Sequence, residues 1–201
     1  VRFFFDEFSK RFERHLVDNL EYKVPGLMRD VFDSVISTGC KFKNAVDLGC
    51  GTGLSGNAFI SIVDRITGVD LSPKMIEQSK EKNIYDTLYE GGILEFLSES
   101  TDRFDLFIAA DVLVYLGDPF PLFEKIKNIS SKEAIFVLSI ESCDESGYQI
   151  RQTGRYSHNC MFVEDMANRF GFELLTKKQA GLRKENEKWV DGEIFVFKYQ
   201  N

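Results

Sequence analysis

A doubly wound α/β domain on a mostly parallel sheet is the fold this sequence predicts. Three observations predict it. Short β-like runs at Ala45 to Leu48, Arg65 to Val69, Leu106 to Ala110 and Ile135 to Ile140 alternate with helical stretches, the first run passes straight into a glycine-rich turn, and 201 residues suit one compact domain. Alternating strands and helices imply βαβ units with right-handed crossovers and hence parallel strands. A single hydrophobic core commonly serves chains of roughly 100 to 250 residues, so residues 1–201 are expected to form one domain.

The elements follow in order. Phe8, Phe12, Leu16 and Leu20 recur every fourth residue, with Asp6, Lys10, Arg14 and Asp18 on other faces, which predicts an amphipathic helix. Pro25 and Gly26 interrupt it, and Leu27, Val31, Phe32, Val35 and Ile36 form a second stripe that stops at Gly39. Two helices, a cap or lid over residues 1–40, therefore precede the first strand. Leu54 to Ile62, Pro73 to Lys82, Ile93 to Glu99 and Phe120 to Ile129 read as crossover helices, with Ser72 and Asp118 as N-caps ahead of Pro73 and Pro119. Val163 to Phe170 reads as a helix, and Glu173 to Leu182 and Gly192 to Tyr199 as an antiparallel hairpin closing one edge of the sheet. The stretch Glu141 to Cys160 has no element assigned, and irregular segments of that length inside compact domains are usually functional or disordered, so substrate contacts are expected there first.

Composition narrows the function. Apolar residues make up 43% of the chain and charged residues 28%, enough for a soluble globular core. The net charge of -7 repels a phosphate backbone, so nucleic acid is not the expected partner. No apolar run approaches the roughly 20 residues that cross a bilayer, and no export signal is present at the N-terminus, so a cytoplasmic location is expected. Cys40, Cys50, Cys143 and Cys160 form no close pair or cluster with histidine, so neither a metal site nor a disulfide framework is expected.

Chemistry concentrates where Val46-Asp47-Leu48 runs into Gly49-Cys50-Gly51-Thr52-Gly53. Glycine there permits positive φ and close approach of backbone to a ligand. Seventeen positions after Gly53, Asp70 ends the strand in GVDLS, where a carboxylate accepts hydrogen bonds from ribose hydroxyls. An adenosyl ligand is the reading, against the plainer one of a tight turn with Asp70 capping the next helix. A nicotinamide dinucleotide competes, because Gly51, Gly53 and Gly56 also spell G-x-G-x-x-G. Asp47 argues the other way, since a carboxylate inside that strand suits a ligand bearing an ammonium group rather than a pyrophosphate. The chain also has little room for the separate substrate domain of a dehydrogenase.

These segments, with FDLFIAADVLVYLGD at 104–118, resemble the class I S-adenosylmethionine-dependent methyltransferases over almost the whole chain. More narrowly, FDEFSKRFERHL at 5–16, YKVP at 22–25, GRYSHN at 154–159 and LRKE at 182–185 resemble the methyltransferase domain that follows tetratricopeptide repeats in a group of bacterial proteins, which implies a repeat region ahead of Val1. The resemblance implies a Rossmann-like, seven-stranded sheet with one antiparallel strand and S-adenosylmethionine as cofactor. It carries over Asp47, Gly49, Cys50, Gly51, Gly53, Asp70, Leu71, Met75, Asp111 and Val112 as cofactor contacts. One position departs from the family pattern: where relatives often carry an acidic residue for the adenine amino group, this chain has Gly92, leaving backbone groups and Ile93.

Transfer of a methyl from a sulfonium needs alignment, exclusion of water and sometimes removal of a proton. Tyr115 follows the strand beside the glycine loop and is placed to face the methyl. Arg155, Tyr156 and His158 offer an anion clamp, a hydroxyl and a base that titrates near neutrality. An equally weighted reading makes them a hydrogen-bonded surface loop. Arg155 with Arg183 and Lys184 would suit an acidic small-molecule acceptor if they converge. The alternative class is a non-catalytic module that binds S-adenosylmethionine or a partner protein.

Overall fold

A computed structural model describes residues 21–185 and 187–200 of the chain. The expected helix at Phe8 to Leu20 lies outside them. Helix α1 (Val24–Asp33) opens the described region with Pro25 in its first turn, a position where the missing N–H of proline leaves no helical bond unmade. Proline therefore starts this helix, which begins at Val24 rather than after Gly26.

The elements then alternate: β1 (Ala45–Leu48), α2 (Leu54–Phe59) with a 3₁₀ turn at Ile60–Ile62, β2 (Ile66–Asp70), α3 (Pro73–Lys82), β3 (Thr87–Glu90), α4 (Ile93–Glu99), β4 (Phe104–Ala109), α5 (Leu113–Leu116), α6 (Phe120–Ile129) and β5 (Ser130–Glu141). After β5 come β6 (Tyr148–Ile150), β7 (Tyr156–His158), α7 (Cys160–Arg169), β8 (Phe172–Glu185) and β9 (Lys188–Tyr199). Seven strands form one sheet in the order β3-β2-β1-β4-β5-β9-β8. Parallel pairing joins β3, β2, β1, β4 and β5, whereas β9 runs antiparallel to both β5 and β8. The expected doubly wound sheet and its C-terminal hairpin are thus present. The stretch expected to be irregular instead contains a second, two-stranded sheet, β6 with β7.

Alternation along the central strands divides the core into two layers. Val46, Leu48, Phe107, Ala109, Phe136, Leu138, Phe195 and Phe197 pack on one side with Leu97 of α4, Leu122, Phe123 and Ile126 of α6 and Val163 of α7. Ala45, Leu106, Ile108, Ile135, Val137, Ile194 and Val196 pack on the other with Val24, Met28, Val31 and Phe32 of α1 and Phe59 of α2. Both faces of a parallel sheet are covered, so its strands carry apolar residues at successive positions. Ser72 caps α3 by accepting the Met75 N–H at 3.3 Å. Asp118 accepts the Phe120 N–H at 3.0 Å, although α6 begins two residues later, with Pro119 at the N-cap position. Among the described residues no helix is long and apolar enough to cross a membrane.

Candidate active site

The carboxyl ends of β1, β2 and β4 meet where the sheet order reverses direction, which is where open α/β sheets bind ligands. At that point the N–H groups of Gly49 and Cys50 both donate to the Val69 carbonyl, at 2.8 and 2.9 Å, tying the glycine loop to β2. Gly49 and Gly53 have φ of +70° and +92°, conformations that disfavour a side chain. A Cβ on Gly49 would lie 3.1 Å from a Val112 methyl and 3.8 Å from Ile93, so bare backbone here is flanked by two apolar side chains. A Cβ on Gly51 would meet nothing within 4 Å. Asp70 accepts the Gly51 N–H at 2.9 Å and the Ser72 N–H at 2.8 Å, which orients its carboxylate beside the loop.

Asp47 lies beneath this loop and is fully buried. Its carboxylate accepts from Ser55 Oγ at 3.0 and 2.8 Å and from the Tyr85 hydroxyl at 2.7 Å. Burial pushes its carboxyl up to about 6, despite the opposing hydrogen bonds from Tyr85, Ser55 and the Gly56 N–H. Among the described residues no cation pairs with it, so a positively charged ligand group reaching it would favour the ionised form.

On the other side of β4, Asp111 has φ +55° and is held twice by Ser139: its N–H donates to Ser139 Oγ at 2.9 Å, and that hydroxyl donates to Asp111 Oδ1 at 3.1 Å. Arg183 Nη1 reaches Asp111 Oδ2 at 3.3 Å, its Nε donates to Glu185 at 2.9 Å, and its Nη2 donates to Glu141. Arg155 donates to the same two glutamates, through Nε to Glu141 at 2.7 Å and through Nη2 to Glu185. Burial works against the Arg183 charge, but Asp111, Glu141 and Glu185 outweigh it and hold the guanidinium above its ordinary value. Burial raises the Asp111 carboxyl, with Arg183 opposing.

The expected catalytic residues fall in different settings. Tyr115 follows Asp111 on the short helix α5; burial and then the Asp111 charge push its hydroxyl up to about 12. Tyr156, on β7, packs its ring against Gly117, where a Cβ would sit 3.0 Å from it. His158 is fully buried, with Nε2 2.5 Å from the Gly117 carbonyl and Nδ1 buried without a hydrogen-bond partner among the described residues. The Nε2–H therefore donates to that carbonyl, and burial lowers the pKa of the ring. Neither nitrogen meets solvent, so the geometry is that of a group holding Gly117, which follows α5, in place. Arg155 and Arg183 converge on the same two glutamates, whereas Lys184 turns to Glu21 at 2.5 Å and lies over the Trp189 ring. Of the remaining expected contacts, Leu71 is exposed, Met75 and Cys50 are buried, and Gly92 precedes α4.

Periodicity gave no signal for four participants. Glu141 and Ser139 are the polar residues of an otherwise apolar stretch, 134–141, of β5, which was the available clue. Tyr22, in the segment YKVP, feels the charges of Asp111, Arg183 and Asp47, and burial raises its hydroxyl well above its ordinary value. Tyr85 comes from the turn before β3.

Comparison with known proteins decides what this arrangement belongs to. A methyltransferase domain family matches residues 41–189. The chain belongs to the class I S-adenosylmethionine-dependent methyltransferase family. It is 32% identical over 82 residues to the ubiquinone biosynthesis O-methyltransferase of Coxiella burnetii, covering 39% of this chain and 35% of that protein. It is 29% identical over 91 residues to nodulation protein S of Bradyrhizobium diazoefficiens, covering 44% and 43%. The chain thus spans about a third to a half of the length of these curated relatives. Among solved structures, it is similar to an S-adenosylmethionine-dependent methyltransferase from Clostridium acetobutylicum, with a TM-score of 0.70, 16% identity and coverage of 98% and 99%. The N-methyltransferase NodS of Bradyrhizobium japonicum, in complex with S-adenosyl-L-homocysteine, also gives a TM-score of 0.70 at 16% identity, covering 96% and 98%. At such identity these two likenesses concern the fold.

The site fits the family's cofactor by chemistry as well as by motif. Bare backbone between Ile93 and Val112 would suit a flat base, Asp70 would offer hydrogen-bond acceptors to a ribose, and Asp47, a buried carboxylate with no cation beside it among the described residues, would suit an ammonium group.

Proposed function

We propose that this chain transfers the methyl group of S-adenosylmethionine to a small-molecule acceptor. The observation that carries the reading is the joint placement of Asp70 and the Gly49–Gly53 loop at the reversal of the sheet order, with Asp111 and Tyr115 leaving the neighbouring strand. S-adenosylmethionine supplies a methyl already activated by its sulfonium. The protein's part is to orient: Asp70 would hold the ribose, the backbone of Gly49 and Gly51 would lie along the ligand, and Gly92, Ile93 and Val112 would border the base. Tyr115, with its hydroxyl pushed up to about 12, serves at neutral pH as a hydrogen-bond donor rather than a base. Within this reading Tyr156 and His158 act on the acceptor side through Gly117, His158 as a positioning residue. The small-molecule acceptor draws support from the names of the curated relatives, such as ubiquinone biosynthesis O-methyltransferase. Support for an acidic acceptor weakens, because Arg155 and Arg183 already donate to Glu141 and Glu185 and, with Asp111, face three carboxylates between them. The narrower kinship with domains that follow tetratricopeptide repeats rests on the sequence segments FDEFSKRFERHL, YKVP, GRYSHN and LRKE alone.

Ligand binding separates this reading from its rivals. S-adenosyl-L-homocysteine at about 100 times its Kd should stabilise the fold by about 2.7 kcal/mol, which raises Tm by about 5–11 °C for a chain of this size. NAD should not, and Asp70→Ala should abolish the shift. Stabilisation by NAD alone overturns the cofactor assignment. Release of S-adenosyl-L-homocysteine on incubation with a cell extract supports an enzyme; binding without turnover on any metabolite tested supports the non-catalytic module.

A further inference from the structure

Tyr85 reaches Asp47 through a slot that only glycines leave open. A Cβ on Gly56 would lie 2.4 Å from the Tyr85 hydroxyl, one on Gly68 3.0 Å from its ring, and one on Gly53 3.3 Å from it. These glycines come from α2, from β2 and from the end of the loop, so three elements open a passage for one side chain. At its end the hydroxyl donates to Asp47 Oδ2 at 2.7 Å, while Ser55 of α2 donates to both carboxylate oxygens. Filling such a slot demands a donor at its tip, since a buried carboxylate short of hydrogen bonds is strongly disfavoured.

We propose that Tyr85 is a positioning residue for cofactor binding: threaded between Gly53, Gly56 and Gly68, its hydroxyl fixes the Asp47 carboxylate in the orientation from which it meets the amino-acid end of S-adenosylmethionine. The inference rests on the cofactor reading given above. A packing role alone would need the ring and not the hydroxyl. A positioning role also keeps Asp47 ionised, because the Tyr85 bond opposes the effect of burial. Asp47 is faced by Tyr85 from the turn before β3, by Ser55 and the Gly56 N–H from α2, by Asp70 from β2, by Cys50 from the loop and by Tyr22 ahead of α1. Without the hydroxyl the carboxyl titrates at higher pH, and less of it is charged near neutrality.

The test is calorimetric binding of S-adenosyl-L-homocysteine from pH 5 to 8.5 to the unaltered protein and to Tyr85→Phe, Gly56→Ala and Asp47→Asn. Affinity of the unaltered protein should fall below a pH of about 6. Tyr85→Phe should bind about tenfold more weakly at pH 7, the scale of one hydrogen bond to a charged group, with the fall in affinity moved to higher pH. Gly56→Ala, which pushes the hydroxyl off the carboxylate and keeps the tyrosine, should move the profile the same way, and decides the matter if Tyr85→Phe does not fold. Asp47→Asn should bind weakly with no fall in this range. A folded Tyr85→Phe variant whose affinity and pH profile match the unaltered protein overturns the inference alone. No binding by the unaltered protein at any pH overturns the cofactor reading itself.

Discussion

Replacing Arg183 by methionine keeps a long apolar stem and removes the guanidinium that three carboxylates share. Arg183 is 5% exposed and Glu141 4%, so the charges left behind cannot turn to water. Among the described residues Arg155 would remain as the one guanidinium facing Asp111, Glu141 and Glu185. Removing one partner of a buried ionic cluster generally costs about 3–5 kcal/mol, because the remaining charge is left uncompensated. For a chain of this length each kcal/mol moves Tm by roughly 2–4 °C, so the expected drop is about 6–20 °C near neutral pH. Its pH dependence is the sharper part. Arg183 lowers the Asp111 carboxyl, which burial has already raised, so without Arg183 that carboxyl rises further above its unfolded value. A group whose pKa is raised on folding contributes stability that is fully present below the unfolded pKa, about 3.9, and is lost as pH climbs through the folded one. The deficit of Arg183→Met should therefore be small near pH 4.5 and full by pH 8. Thermal melts of both proteins across that range measure it directly. Equal drops at both ends would mean that only packing was lost and would refute the electrostatic account of the cluster.

The same linkage applies at Asp47. Asp47 is fully buried with its carboxyl pushed up to about 6, so its ionised form destabilises the cofactor-free protein above that pH by about 3 kcal/mol, reckoned from the unfolded value of about 3.9. Asp47→Asn should raise Tm by several degrees at pH 8 and leave it nearly unchanged at pH 4; a variant that melts lower at pH 8 would contradict this. His158→Phe keeps an aromatic ring and removes the donor to the Gly117 carbonyl, at a cost of about 1–3 kcal/mol for the unpaired group. It should lower turnover while leaving the Kd for S-adenosyl-L-homocysteine within threefold, and an equal loss of both would show that His158 acts on the cofactor side instead.

The order of strands and helices was legible because burial on both faces writes long apolar runs, as at Leu106 to Ala110 and Ile135 to Ile140, and because Ser72-Pro73 announces a helix start. What escaped had weak local signals. β3 is half exposed and sits at the sheet edge, so its four residues carry no apolar run. The β6–β7 hairpin is three residues a side and largely polar, and reads as loop. Pro25 and Gly26 read as a break because proline disrupts helix interiors, yet at the first turn it begins one.

The site was legible only where one short segment contained it. Asp70 and the glycine loop lie within 25 residues of each other in a strand-turn-helix-strand unit, and that spacing reports an adenosyl ligand. Choosing between two cofactors that share this unit was harder, because Gly51, Gly53 and Gly56 fit the dinucleotide fingerprint as well. The structure gives Gly56 a different task. In the fingerprint the third glycine lets helix and strand pack closely, whereas here a Cβ on it would strike the Tyr85 hydroxyl at 2.4 Å on its way to Asp47. The residue that explains Gly56 lies 29 positions downstream, in a turn without any recognisable pattern. The carboxylate that set this chain apart from a dehydrogenase thus also explains the glycine that made it resemble one: both belong to the passage that carries Tyr85 beneath the loop.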